Sequence, residues 1–223
     1  MGMGMRSEEF WDRYDKEFRP QLAARAGTFA KIFEYLDRFE RPVGIIETGC
    51  TRAKGNWAGD GGSTFLFDTY AEFHPGTTVY SVDIDEIATS LCRANVSTRV
   101  KIHTGDSVMF LKSLAEKPPQ DLPHLDLLYL DSYDIDFNNP HPSAFHHIKE
   151  LLVVSPLIHA DTLVVIDDSP PSASGFFIAQ NAFQPTTPVV IGGKGKYVAE
   201  YAEHIGAERY FVGYQCGWTK LKA

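Results

Sequence analysis

Five short strand-like runs, the first four of them followed by segments of a different period, restrict this chain to few folds. They are VGIIE (43–47), TVYSVDI (78–84), RVKIH (99–103), LDLLYLD (125–131) and TLVVID (162–167). Runs apolar along their length, without strict alternation, are expected of strands buried on both faces. The first four lead into segments with apolar residues at spacings of three and four: Ser63–Phe73, Glu86–Asn95, Ser107–Leu114 and Ser143–Val154. The fifth runs into a Pro/Ser-rich loop. Repeated strand-then-helix units imply an α/β fold with a doubly wound, mostly parallel sheet. Ahead of the first strand, Phe10, Tyr14, Phe18, Leu22, Phe29, Phe33 and Leu36 predict an N-terminal helical cap over Ser7–Phe39, divided at Pro20 and Gly27. Near the C-terminus, KGKYVAEYAEHIG predicts a helix ending at Gly206, and RYFVGYQ an antiparallel edge strand.

The 223 residues suffice for one domain with a full core, with 1–40 as cap, 43–168 as the ligand-binding core and 169–223 as a C-terminal part. The formal net charge of −8, without a Lys/Arg-rich block, argues against nucleic acid or an anionic membrane as partner. Cys50, Cys92 and Cys216 lack metal-ligand spacing and read as reduced thiols of a cytoplasmic protein. No run reaches the ~18 apolar residues of a membrane span, no signal peptide is expected, and the opening MGMGM is left out of the fold argument. Phe10, Trp11 and Tyr14 are candidates for a lid or for the contact of a homo-oligomer.

The first strand enters a glycine-rich loop, Thr51–Gly62, before its helix. The Walker pattern fails there, because GDGGST has Gly where Lys is needed, and GxGxxG fails after Thr48-Gly49. Glu47 at the strand end would repel a pyrophosphate and suits a cationic ligand without phosphates. S-adenosylmethionine, with an ammonium and a sulfonium, is such a ligand. GDGGST reads as the helix entry, with Ser63 or Thr64 as cap. Lys54 and Trp57 in the loop either close over a ligand or form a surface flap.

From Val43 to Asp168 the chain resembles the class I S-adenosylmethionine-dependent methyltransferases. The motifs that carry the resemblance are ETG at the end of the first strand, VYSVDID at the second and HTGDS at the third. The resemblance implies that Glu47 and Gly49 lie against the cofactor and that Asp83, in preference to Asp85, grips its ribose hydroxyls. It places Asp106, with Gly105 and Ser107, near the adenine. Each acid taken singly has an alternative role as a helix cap or turn residue.

The fourth and fifth strands end in Asp131 and in Asp167-Asp168, which this fold makes neighbours. Close carboxylates repel unless a cation or proton separates them, and hard oxygen ligands suit Mg²⁺ or Ca²⁺ and not zinc. The arrangement resembles Mg²⁺-dependent small-molecule O-methyltransferases, which implies Asp131, Asp167 and Asp168 as metal ligands and a small polar acceptor. Where catechol-type members carry a lysine base, this chain has Asp134, so His146 and His147 join Asp131 as catalytic candidates. Asp136, Asn138 and Asn139 either touch the acceptor or form a turn. The alternatives are a haloacid-dehalogenase-like phosphatase, with Asp83 as nucleophile and Asp85 as acid, and a non-catalytic nucleotide-binding module.

Overall fold

The computed structural model describes residues 7–53, 55–60, 62–136, 138–171 and 190–221. The chain opens with helix α1 (Glu8–Arg13), a π turn (Tyr14–Phe18), a 3₁₀ turn (Ala23–Arg25) and α2 (Ala26–Leu36). Then follow β1 (Gly44–Thr48), α3 (Trp57–Asp60), α4 (Ser63–Phe73), β2 (Thr78–Asp83), α5 (Glu86–Asn95), β3 (Val100–Thr104) and α6 (Ser107–Glu116). β4 (Leu127–Leu130), α7 (His141–Val154), β5 (Leu163–Ile166), α8 (Lys196–His204), β6 (Glu208–Val212) and β7 (Cys216–Thr219) complete the order.

The seven strands form one sheet in the order β3-β2-β1-β4-β5-β7-β6. β1 to β5 pair in parallel, and β7 pairs antiparallel with both β5 and β6. This is the expected Rossmann-like methyltransferase topology with an antiparallel C-terminal part. Two expectations change. Gly27 lies inside α2 instead of dividing the cap. The C-terminal segment contributes two strands, with CGWT slotted between β5 and the edge strand.

Phe29, Phe33, Phe67 and Tyr129 anchor the core on one face of the sheet, and Leu111, Leu128, Leu151, Val164 and Val198 on the other. Phe10, Trp11 and Tyr14 belong to that first core and are not a lid or an oligomer contact. Phe10 and Tyr14 are fully buried, Trp11 donates its indole N–H to Asp37 Oδ2 at 2.7 Å, and Phe10 meets the Tyr70 ring at 5.1 Å. The three cysteines are free and buried. Among the described residues no helix is long and apolar enough to cross a membrane.

Register places the site. Thr48 lies opposite Val82 and Leu130, and Leu130 opposite Ile166. The residues just past these positions, Gly49, Asp83, Asp131 and Asp167, therefore emerge side by side. They do so at the carboxyl end of the sheet, where the strand order reverses between β1 and β4, the usual ligand crevice of open α/β sheets.

Candidate active site

A cavity of about 210 Å³ opens at this point, lined by Gly49, Cys50, Arg52, Ser63, Asp83, Ile84, Asp85, Asp131, Ser132 and Asp134. Gly49 has φ +82°, and a Cβ there would stand 2.5 Å from the Asp131 carbonyl oxygen. Only glycine suits this turn without strain. Its N–H donates to Val82 O at 2.8 Å, tying the loop to β2. Asp83 sits at the rim. One carboxylate oxygen accepts the Cys50 N–H at 3.1 Å and the other the Asp85 N–H at 2.9 Å. Asp85 caps α5 through Ile87 N at 2.8 Å, so its side chain has a structural task.

Glu47 does not reach the cavity. It is fully buried, and its carboxylate accepts hydrogen bonds from Ser63, from Thr64 Oγ1 at 2.6 Å and from Ser81 Oγ at 2.6 Å. A buried carboxylate needs donors, and three hydroxyls from α4 and β2 supply them. Ser63 and Thr64 thus serve Glu47 instead of capping α4, whose N-cap is Gly62 at φ +59°. Glu47 is an anchor for the helix after the loop, in place of the expected cofactor contact.

Asp106 caps α6 by accepting Met109 N–H at 2.8 Å; it is exposed and outside the cavity lining. Ser107 is buried and bonded to His146 Nε2 at 2.9 Å. That nitrogen lies 3.3 Å from Glu150, which sequence reasoning missed. Glu150 is fully buried and accepts from Ser132 Oγ at 2.6 Å and Thr48 Oγ1 at 3.2 Å. Burial raises its pKa, but His146, His147 and the hydroxyls outweigh that and hold it below the ordinary value. His147 is fully buried, with Nδ1 bonded to Ser143 O at 2.7 Å, and burial pushes its pKa down to about 4. Neither histidine is among the residues that line the cavity.

Asp131, Asp167 and Asp168 do gather, but around two cations of the chain itself. Arg25 donates Nε to both oxygens of Asp167, at 3.1 and 2.8 Å, and Nη2 to Asp168 Oδ1 at 3.0 Å. Tyr129 O–H and Asp168 N–H, each at 2.7 Å, complete the shell of Asp167. Lys194, 1% exposed, places Nζ against Asp131 and 3.0 Å from Asp168 Oδ2. A Mg²⁺ ion demands about six oxygens at ~2.1 Å. Here the shell of Asp167 is filled, and an ammonium lies between Asp131 and Asp168. The residues do not fit a divalent ion in this arrangement, and no group of three or more His, Cys, Asp or Glu able to hold a metal occurs among the described residues.

Burial alone would lower the Lys194 pKa; Asp131, Asp168 and Asp167 reverse that and raise it above the ordinary lysine value. For Asp168, burial raises, and Lys194 and Arg25 win and lower it. Asp131 goes well above the ordinary carboxylate value, first by burial, against Lys194 and with Asp167 and Asp168.

Around the cavity mouth, Arg52 Nη1 pairs with Asp134 Oδ2 at 2.9 Å. Lys54 and most of the 169–188 loop lie outside the described residues. Trp57 packs on Phe18 and Phe65, ring centroids 5.4 and 5.6 Å away, and is not among the residues that line the cavity. Asp136 folds its own loop, accepting Asn138 N–H at 2.8 Å and Asn139 N–H at 3.0 Å, and the turn reading accounts for these residues.

No protein-family model matches the sequence, and neither does any curated protein. Among solved structures, the chain is similar to the MycE methyltransferase of the mycinamycin biosynthetic pathway, in complex with Mg and SAH, at 19% identity and TM-score 0.46 over 72% of this chain. That match spans 36% of the MycE chain, about a third of its length. A TehB-like SAM-dependent methyltransferase from Corynebacterium glutamicum matches at 14% identity and TM-score 0.46, covering 96% of this chain and 100% of its own. Human N-acetylserotonin methyltransferase in complex with SAM matches at 13% identity and TM-score 0.46, covering 96% and 60%. Likenesses at this level carry no argument about ligand or reaction.

Proposed function

We propose that the chain is an S-adenosylmethionine-dependent methyltransferase acting on an oxygen of a small polar acceptor. The observation that carries the reading is the placement of Asp83. Its carboxylate is oriented by two backbone N–H groups at the end of β2, beside the glycine turn of Gly49, on a cavity lined by four aspartates and one arginine. An acidic lining repels phosphates and accommodates a ligand whose charges are an ammonium and a sulfonium. Gly49 and Cys50 would hold the cofactor by close backbone approach, and Asp83 would accept its ribose hydroxyls. When bound, the cofactor supplies a methyl group on sulfonium, whose bonding pair stays on sulfur as the methyl moves to the acceptor oxygen.

The chain's own task is to hold the acceptor and take its proton. In this reading Asp131, one of the residues that line the cavity, takes that proton. Behind it, Arg25 and Lys194 set two cations against three carboxyl groups, and burial together with the two neighbouring acids raises the pKa of Asp131. Its raised pKa makes Asp131, once ionised, a stronger base than an ordinary carboxylate. Ser132, held by Glu150, is a second polar contact for the acceptor on the same wall. The reaction so proposed draws on no divalent ion. The phosphatase alternative gains no support, since Asp85 is engaged as the cap of α5 and Asp83 is oriented by backbone N–H groups.

Calorimetric titration with S-adenosylhomocysteine in EDTA tests the reading. Saturable micromolar binding is expected, and absence of binding in EDTA and in Mg²⁺ alike would remove it.

A further inference from the structure

We infer that Lys194 is the resident cation of the carboxylate cluster: its ammonium takes the place between Asp131 and Asp168 that a divalent ion would occupy, and it makes the site metal-independent. The bearing of this on methyl transfer rests on the proposed function; the occupancy itself does not.

The geometry is built for that lysine. Buried lysines are rare unless paired, and Lys194 is delivered to its partners by the sequence Gly192-Gly193-Lys194-Gly195. Gly193 has φ +55°, and a Cβ there would collide with the Asp168 carbonyl oxygen. A Cβ on Gly195 would stand 2.6 Å from Ser169 Oγ. Glycine on both sides therefore lets the backbone press against the end of β5. Asp168 answers with its own left-handed φ of +43°, unusual outside glycine, and accepts Lys194 N–H on its carbonyl at 3.1 Å. The segment is thus locked to Asp168 by backbone and by side chain.

The ammonium and a divalent ion exclude one another. Both would need the same oxygens of Asp131 and Asp168, and a second cation beside Nζ would be repelled at close range in a buried setting. Asp167 offers no alternative route, since Arg25, Tyr129 and the Asp168 N–H already surround it. Lys194 lies behind Asp131 and does not line the cavity, so it is a positioning residue: it holds Asp131 at the wall where the acceptor would bind.

The test is a Mn²⁺ titration followed by electron paramagnetic resonance on the full chain. The readout is the Mn²⁺ binding that Asp168→Asn removes. Wild type is expected to have none, and so is Lys194→Arg, which keeps the charge. Lys194→Met, checked for folding by circular dichroism, frees the space and leaves the acids unbalanced, so its Asp168-dependent affinity should rise at least about tenfold. Asp168-dependent Mn²⁺ binding to wild type would overturn the inference, and so would a folded Lys194→Met chain that gains none. If Lys194→Met does not fold, the wild-type and Lys194→Arg titrations decide alone. Because Mn²⁺ and S-adenosylhomocysteine are titrated separately, this inference and the proposed function fail independently.

Discussion

Lys194 and Asp168 are joined twice, by ammonium to carboxylate at 3.0 Å and by backbone N–H to backbone carbonyl at 3.1 Å. The second bond depends on the left-handed Gly193 that precedes the lysine. Gly193→Ala should therefore destabilise the fold by roughly 2–5 kcal/mol, combining backbone strain with a backbone clash. Gly206→Ala is the control. It has φ +73° but nothing within 4 Å of an added Cβ, so it should cost only the conformational part, about 1–2 kcal/mol. Urea unfolding of the two variants checks this, and equal losses would show that the approach to Asp168 is not tight.

Glu47 holds Ser63, Thr64 and Ser81 without reaching the cavity. Glu47→Ala strands three buried hydroxyls and should cost about 3 kcal/mol or more; Glu47→Gln, which keeps an acceptor, should cost about 1–2 kcal/mol. Denaturant midpoints separate the two. An alanine variant as stable as wild type would mean that the hydroxyls find other partners.

Asp83 should behave in the opposite way. Its loss removes two bonds to backbone N–H groups at a partly exposed rim, a modest cost to stability, while the proposed cofactor would lose its ribose contacts. Bonds to a charged acceptor contribute about 1.5–3 kcal/mol each, so Asp83→Ala should weaken S-adenosylhomocysteine by roughly 100-fold or more. Calorimetry reads it directly. A loss of stability without a loss of affinity would move Asp83 to the same structural class as Glu47.

How far this arrangement was legible in the sequence depends on how local its causes are. The parallel strands and the helices Ser63–Phe73 and Glu86–Asn95 were, because burial on two faces and helical periodicity are written in adjacent residues. That Asp83, Asp131 and Asp167 end their strands was legible too, but their side-by-side placement was an expectation of the fold and is set by strand order and register. β7 was not legible: CGWT is too short to show a period, and it is apolar only because it lies between β5 and β6. Phe10, Trp11 and Tyr14 were visible as a helical stripe, but periodicity does not say which surface the stripe meets. The partners of the carboxylates were the least legible. Arg25 is 142 residues from Asp167 and sits in a 3₁₀ turn with no motif. Lys194 carried the one usable signal, a lysine flanked by glycines in GGKG, which marks a backbone pressed against something.

His147 provides a pH dependence whose sign is fixed by burial. In the unfolded chain its pKa is near the ordinary 6.5, and in the fold burial lowers it to about 4. Between these values the unfolded state binds the proton and the folded state does not, so stability must rise with pH across the window. The contribution is fully present above about pH 6.5 and is lost as pH falls toward 4. It amounts to at most about 3 kcal/mol at 1.36 kcal/mol per pH unit. Asn at this position retains an N–H for the Ser143 carbonyl and has no proton to gain. The difference in unfolding free energy between wild type and His147→Asn should therefore change by that amount between pH 7 and pH 4.5, to the disadvantage of wild type at the acid end. Parallel curves would show that His147 takes its proton within the fold, which would require water or an acidic partner at Nε2.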